Sequence, residues 1–215
     1  MLSGVPQRTV LGPILFIIMM NVIDEGITST VLSFADDTRI FRGVKNINDC
    51  QALHSDLLKI YDWAKKNNME FNGNKFEVIK FGQNTELKST SQYNGPNGLP
   101  IERSNRIKDL GVIINDNATF DDHIDRVASK CKQLIGFILR TFKSRDKEIM
   151  LTLWKTIILP HIDYCSQLWF PYKKCNMHKL EGLQRTFTKH IEPVGVSAQR
   201  WLERAPDGSV HKKPR

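Results

Sequence analysis

Apolar side chains recur along the first third of the chain in two different periods. Helical spacing predicts a helix over residues 12–24 and a longer amphipathic helix over residues 48–67, which Asn46 or Asn48 caps. Between them, two runs rich in β-branched and aromatic residues flank an acidic pair and predict a β-hairpin over residues 30–42, with its turn at that pair. This third of the chain therefore combines one hairpin with two helices.

The rest of the chain changes from strand patterns to helix patterns. Residues 76–82 and 107–114 predict strands, and the segment 83–100 has the Asn, Gly, Ser, Thr and Pro content that is typical of a surface loop. A boundary is expected near residues 115–118. Helices are expected after it, over residues 119–143, 146–159, 161–170 and 173–191. Strands followed by helices predict an α+β fold.

Charge is distributed unevenly between the two halves of the chain. The 215 residues carry a formal net charge of +8. Residues 1–118 contain 13 basic and 13 acidic side chains, whereas residues 119–215 contain 18 and 10. A basic helical half beside a neutral half is typical of a nucleic-acid clamp, although solvated helix faces would give the same excess.

The longest apolar run, Val10 to Ile23, is interrupted by Gly12, Pro13 and Asn21 and is too short to span a bilayer. It has neither the basic start nor the small-residue cleavage site of a signal peptide. We therefore expect no membrane segment and an intracellular protein.

The strongest chemical signal is the tetrapeptide Phe34-Ala35-Asp36-Asp37 in the predicted hairpin. Two adjacent carboxylates at a tight turn repel each other, and a bound divalent cation would offset that repulsion. Acidic pairs also occur in solvated turns, so the tetrapeptide on its own leaves both interpretations open.

A second motif precedes the hairpin and favours the metal-binding interpretation of the acidic pair. Residues 4–13 have the sequence GVPQRTVLGP, which leads through Gly and Pro into the first predicted helix. In order and spacing, this segment and the tetrapeptide resemble motifs B and C of the reverse transcriptases of non-LTR (LINE-type) retrotransposons, most closely the Jockey-like branch. Other segments resemble further parts of that family: 71–82 motif D, 108–112 motif E (the primer grip), and 140–142 and 160–165 signatures of the thumb region.

The resemblance implies an RNA-directed DNA polymerase that adds dNTPs to a DNA primer on an RNA template. Two metal ions, Mg²⁺ or Mn²⁺, serve this chemistry in the intact enzyme, and Asp36 and Asp37 are implied as their ligands and as catalytic residues. Lys75 corresponds to the motif D lysine, which is implied to assist the leaving pyrophosphate. An ordinary exposed lysine would have the same sequence context.

The segment that resembles motif B is implied to touch the substrates. Gly4, Pro6 and Gln7 correspond to the loop that contacts the template and the incoming nucleotide, and the alternative is a plain turn before a helix. Arg8 departs from the pattern, because the family usually has a small residue there. Its long side chain would crowd the template or the nucleotide if the backbone approaches closely.

Four further positions have implied roles beside the primer. Phe34 and Ala35 are implied to pack the hairpin and to leave room for the primer end. Leu110 and Gly111 are implied to shape the primer grip. Gly111 by itself also suits a bulge in an edge strand, so both interpretations stay open at this point.

The resemblance also implies a division of the chain. Residues 1–116 correspond to a partial palm, residues 117–192 to a helical thumb or connection region, and residues 193–215 to a poorly defined tail. Nuclear location follows only from the family.

The family's motif A aspartate and its fingers precede motif B and are missing from the sequence. We therefore expect the chain alone to be inactive, with the missing N-terminal part of the same element as a partner. We also expect an unpaired hairpin edge and an exposed first helix. The alternative is a non-catalytic, basic, nucleic-acid-binding relic of a retrotransposon.

Overall fold

The computed structural model describes residues 9–191 of the chain, with Thr90 described by its backbone alone. Helices and two antiparallel hairpins make up this part of the chain, so the predicted α+β class is confirmed. The chain divides between Asn105 and Arg106 into two compact units. The assignment of palm and thumb to parts of the chain stays a prediction.

The first unit begins with the predicted order of helix, hairpin and helix. Helix α1 spans Leu11–Met20, and turns occupy the remainder of its predicted length. Strands β1 (Thr30–Phe34) and β2 (Asp37–Phe41) pair as the predicted hairpin, and helix α2 spans Ile47–Lys66. The side chain of Asn46 caps α2 by accepting a hydrogen bond from the N–H of the third helical residue, so this one of the two predicted caps is confirmed.

The later part of the first unit differs from the prediction. The strand expected over residues 76–82, within the motif D segment, is wrong, because the segment has only an isolated β-bridge between Val78 and Arg103. A strand needs a partner along its length, and a local apolar pattern does not supply one. A short 3₁₀ turn, Gly73–Lys75, precedes this segment, and the predicted surface loop contains a helix, α3 (Thr85–Thr90).

The second unit opens with a hairpin where a single strand was expected over residues 107–114. Strand β3 (Arg106–Asp109) pairs with β4 (Val112–Asn115). Leu110 and Gly111 form the turn, with φ values of +43° and +88°. Glycine adopts such angles readily, which allows the chain to reverse here. The expected strand and the bulge interpretation of Gly111 are therefore corrected to a hairpin turn.

Helices make up the rest of the described second unit. They are α4 (Asp121–Thr141), α5 (Lys147–Leu153), α6 (Leu159–Asp163), α7 (Ser166–Trp169) and α8 (Lys174–Thr188). The predicted break near residue 160 is wrong, because α5 and α6 are joined through a π-helical turn, Trp154–Ile158. Pro160 lacks the N–H that would bond to the carbonyl of Thr156, and the wider turn makes room for the proline ring.

The main apolar core lies within the second unit. Its buried members are Val112, Ile124, Val127, Ala128, Cys131, Ile135, Ile138, Met150, Ile158, Trp169, Leu183, Phe187 and Ile191. Six of these thirteen side chains come from the inner face of α4, while Val112 connects β4 to the helices. Among the residues described, no helix combines the length and the apolar character needed to cross a membrane.

Candidate active site

The tip of the β1–β2 hairpin carries the predicted catalytic carboxylates. Phe34 pairs with Asp37 as the last rung, so Ala35 and Asp36 form the two-residue turn. The turn therefore lies one residue before the predicted acidic pair, and Asp37 begins β2. Ala35 has a φ of +53°, which is strained for a residue with a Cβ atom. Both carboxylates are exposed, and Phe34 is 62% exposed, so its packing role stays a prediction.

The base of the same hairpin is held by a carboxylate from α2. Oδ2 of Asp56 accepts hydrogen bonds from the backbone N–H groups of Thr28 and Ser29, at 3.0 and 2.8 Å, and from both hydroxyls, at 2.8 Å. Lys59 donates to Oδ1 at 2.9 Å. Arg42, which follows β2, donates to the Thr28 hydroxyl at 2.8 Å. Asp56 thus connects the two chain ends of the hairpin to α2.

The electrostatics of this base favour the ionised carboxylate. Burial alone would raise the pKa of Asp56, but the hydrogen bonds from Lys59, Ser29 and Thr28 outweigh it and hold the pKa well below its usual range. Sequence reasoning missed Asp56. The sequence did contain a sign of its role: Asp56 precedes Leu57 and lies on the apolar face of α2. An unpaired charge would be costly there, so a partner was to be expected.

The donor set at the hairpin tip suits a hard divalent cation in part. Two adjacent carboxylates offer oxygen ligands of the kind that Mg²⁺ and Mn²⁺ prefer. Within residues 9–191, however, no group of three or more His, Cys, Asp or Glu side chains is placed to hold a metal ion. Two carboxylates are fewer than such a group requires, so the role of Asp36 and Asp37 as metal ligands stays a prediction.

The structure shows less about the other predicted site residues in the first half of the chain. Lys75 ends the 3₁₀ turn that Asn72 caps, and its side chain is exposed. Gly4, Pro6 and Gln7 lie outside the described residues, so their predicted contacts with the template and nucleotide stay predictions.

The predicted primer-grip residues occupy the turn of the β3–β4 hairpin. Tyr164 donates its hydroxyl hydrogen to the carbonyl oxygen of Leu110 at 2.7 Å. Its ring also lies beside Gly111, 3.4 Å from where a Cβ atom would stand. Tyr164 belongs to the segment 160–165 that resembles a thumb signature. The sequence identified that segment without showing that it covers this turn.

A buried histidine anchors the second strand of this hairpin. Nδ1 of His123 accepts a hydrogen bond from the N–H of Ile113 at 3.3 Å. The imidazole ring meets Trp169 edge to face, with 5.0 Å between ring centroids. Burial, and then the nearby charge of Arg126, lower the pKa of His123. The ring is therefore neutral in the folded hairpin, as an acceptor at Nδ1 must be.

Comparison with known proteins agrees with these features. Residues 2–114 match the family described as reverse transcriptase (RNA-dependent DNA polymerase). The probable RNA-directed DNA polymerase from transposon X-element of Drosophila melanogaster is 23% identical, over 88% of this chain and 22% of its own length. The RNA-directed DNA polymerase from mobile element jockey of Drosophila funebris is 25% identical, over 95% of this chain and 23% of its own length.

The chain thus spans less than a quarter of the length of these curated relatives. No solved structure matches it. The family match covers more than half of the chain and includes both the α1 region and the acidic hairpin. The predicted resemblance to the polymerases of Jockey-like non-LTR retrotransposons is confirmed, and the chain belongs to the reverse transcriptase (RNA-dependent DNA polymerase) family.

Proposed function

We propose that this chain forms part of a template-directed nucleotidyltransferase, in which the β1–β2 hairpin presents Asp36 and Asp37 to metal ions. The observation that carries the proposal is an exposed pair of adjacent carboxylates on a hairpin whose base is fixed by Asp56. Its relatives are named as RNA-directed DNA polymerases of mobile elements. RNA template, DNA primer and dNTPs are the substrates that this function requires.

Reverse transcriptases generally use divalent metals, and Mg²⁺ or Mn²⁺ fits the oxygen donors at the hairpin tip. Held by Asp36 and Asp37, such ions would supply activation of the primer hydroxyl and stabilisation of the triphosphate and the leaving pyrophosphate. The chain's own contribution is to hold Asp36 and Asp37 at a defined position. The clamp at the hairpin base supplies this, because Asp56 fixes the backbone at Thr28 and Ser29 directly.

We assign the other predicted residues to contacts with the substrates. Gly4, Pro6 and Gln7 would contact the template and the nucleotide, and Lys75 would assist the leaving pyrophosphate. Leu110 and Gly111 would contact the primer. This arrangement corresponds to a palm over residues 1–116 and a thumb over residues 117–192.

We further propose that the 215-residue polypeptide alone does not extend a primer, because the described residues supply only two carboxylates at the tip. Primer extension on an RNA template should give no product above background. Incorporation that depends on Asp36 would contradict this proposal of inactivity while supporting the role of the carboxylates.

Metal binding at the tip is tested by adding Mn²⁺ to the full chain and measuring paramagnetic broadening of its amide signals by NMR. We expect broadening centred on residues 33–38, and we expect Asp36→Asn to abolish it. Asp62→Asn is the matched control, since it removes one exposed carboxylate from α2 of the same unit. Equal broadening in the wild type and in Asp36→Asn would contradict the proposed site.

A second function is favoured by the charge distribution. All of the net charge of +8 falls in residues 119–215, and Lys130 and Lys132 lie exposed on α4. Such a surface would bind nucleic-acid phosphates without catalysis and with little regard to sequence. Binding of the full chain to single-stranded RNA should weaken steeply with salt, and Lys130→Gln should make the salt dependence shallower.

A further inference from the structure

A basic cleft lies in the first unit, and none of the hairpin residues assigned above lines it. It has a volume of about 420 Å³. Three of the nine residues that line it are cationic, namely Lys80, Lys88 and Arg103, and none is acidic. Lys80 and Lys88 bring positive charge to a cavity whose lining has no carboxylate, and this raises the local potential and favours an anion inside it.

Lys80 is held in the wall of this cleft by groups that carry no net charge. Its ammonium donates to the carbonyl oxygen of Lys88 at 2.9 Å and to that of Ser91. The ammonium also lies 5.7 Å from the centroid of the Tyr93 ring. Among the described residues, no carboxylate forms an ion pair with it. Its orientation is therefore fixed by the fold, while its charge is left to interact with whatever enters the cleft.

The protonation equilibrium of Lys80 supports this description. Burial, and then the positive charge of Arg103, lower the pKa of Lys80. A bound anion would act in the opposite direction, because it favours the charged ammonium. A bound anion and the protonated ammonium of Lys80 therefore stabilise each other at this position.

The polar side chains around the cations narrow the chemical class of the anion. Ser89 and Gln92 also line the cleft and are exposed, so a hydroxyl and an amide are available as additional donors. A phosphate group has the charge and the number of acceptor oxygens to use several cations and neutral donors together. The cleft is also larger than a single phosphate needs, which leaves room for an attached sugar.

We propose that the cleft formed by Lys80, Lys88, Arg103, Ser89 and Gln92 is a phosphate-binding site, for a nucleic-acid backbone phosphate or for free phosphate or pyrophosphate. The site goes beyond the proposed polymerase function, because it involves none of the hairpin carboxylates. It also differs from the predicted role of Lys75, which lies outside the cleft lining.

The test is lysine acetylation of the wild-type full chain at low salt, followed by mass spectrometry, with two separate probes. One probe is a short single-stranded oligonucleotide and the other is inorganic pyrophosphate. We expect the probe to slow acetylation of Lys88 and Lys80, with Lys66, exposed at the end of α2, as the unprotected control. Protection by the oligonucleotide identifies a backbone phosphate as the ligand, and protection by pyrophosphate alone identifies a free phosphate.

Absence of protection at Lys80 and Lys88 with both probes would overturn the proposal. Protection confined to Lys75, or to Lys130 and Lys132, would also overturn it, because binding would then occur elsewhere. Asp36→Asn should leave the protection of Lys88 unchanged, so failure of the hairpin proposal and failure of the cleft proposal remain distinguishable.

If the oligonucleotide is the ligand, the salt dependence of its binding to a variant tests the contact at Lys88. Lys88→Gln removes one cation and keeps a polar side chain, and it should make the slope of log affinity against log salt shallower by about 0.7. Lys66→Gln, which removes the same charge, should leave that slope unchanged. Equal slopes for Lys88→Gln and the wild type would contradict a phosphate contact at Lys88.

Discussion

The two hairpins of this protein have the same kind of turn, but other residues hold them at opposite ends. Each has a two-residue turn whose first residue, Ala35 or Leu110, has a positive φ without being glycine. The β1–β2 hairpin is fixed at its base by Asp56, and its tip is exposed. The β3–β4 hairpin is fixed at its tip by Tyr164 and along β4 by His123.

This difference separates a hairpin that is held only at its base from one that is held at its turn and along its second strand. Under the proposed function the tip approaches metal ions and a primer end, which requires an uncovered tip, so its position can only come from its base. The same requirement leaves Leu32, Phe34 and Phe41 exposed. The β3–β4 hairpin has no such requirement at β4, where Val112 is 2% exposed and joins the main core.

Exposure in the first unit extends to its first helix. Leu11, Ile14, Leu15, Ile17 and Ile18 of α1 are each 48–65% exposed, and β1 and β2 form a sheet of only two strands among the residues described. The sequence had led us to expect both features. Together they predict a tendency of the isolated polypeptide to aggregate, because apolar surface and unpaired strand edges are both available for association.

The largest effect should come from breaking the clamp at the base of the β1–β2 hairpin. Asp56→Asn removes the charge that accepts five hydrogen bonds in a buried position. We expect a loss of about 3 kcal/mol, because charged hydrogen bonds are lost and Lys59 loses its counter-ion. Amide hydrogen exchange of β1 and β2 measures this as a fall in protection of roughly a hundredfold.

Asp62→Asn provides the control for this prediction, because Asp62 is an exposed aspartate of the same helix. It should leave the protection of the hairpin unchanged. The amides of β3 and β4 should also keep their protection in Asp56→Asn. Undiminished protection of β1 and β2 in Asp56→Asn would show that the hairpin does not depend on the clamp.

The next largest effect should come from the turn of the β3–β4 hairpin. Gly111→Ala introduces a Cβ atom at a φ of +88°, beside the Tyr164 ring. We expect a cost of about 2 kcal/mol from backbone strain, measured as lost amide protection in β3 and β4. Gly136→Ala is the matched control: it lies within α4 with open space around it, and alanine there should stabilise the helix by about 1 kcal/mol. Equal effects of the two substitutions would contradict this account.

Acid pH should distinguish the two hairpins without any mutation. The pKa of His123 is lowered below its ordinary value of 6.5, so the unfolded chain binds a proton more readily than the folded one. The contribution of His123 is therefore complete above that value and is lost as the pH falls through the folded pKa. The pKa of Asp56 lies below its ordinary value of 3.8, so its contribution persists until the pH falls below 3.8.

Between pH 6.5 and 3.8 we therefore expect β3–β4 to lose amide protection factors while β1–β2 keeps them. The size of the loss is about 1.4 kcal/mol for each unit by which the His123 pKa is lowered. His123→Asn, which retains an acceptor for Ile113, should remove this pH dependence. A loss of the same size in both hairpins would mean that His123 is not its cause.

The observed elements also show what the sequence could and could not predict. Helix α2 with its Asn46 cap, the β1–β2 hairpin and the helical second half were predicted from apolar periods and capping residues. These signals are local, and each is strong enough to fix an element by itself. The acidic tip was identified in the same way, from four consecutive residues.

The errors came from interactions between distant residues. Residues 76–82 have strand composition and no partner strand, and the turn at Gly111 depends on cover from Tyr164, 53 positions later. Asp56 was missed because its partners, Thr28 and Ser29, precede it by nearly thirty positions. Sequence patterns located the residues proposed for chemistry better than the residues that hold them in place.

The smallest effect should come from relieving strain at the turn of the β1–β2 hairpin. Ala35→Gly removes the Cβ atom from a position with a φ of +53°, and we expect the hairpin to gain about 0.5–1 kcal/mol, measured as increased amide protection in β1 and β2. Leu110→Gly tests the same relief at a φ of +43° in the covered turn. A loss of protection in Ala35→Gly would show that alanine is not strained there. A gain would mean that alanine keeps the tip rigid at some cost in stability, which agrees with the proposed role of Asp36 as a metal ligand.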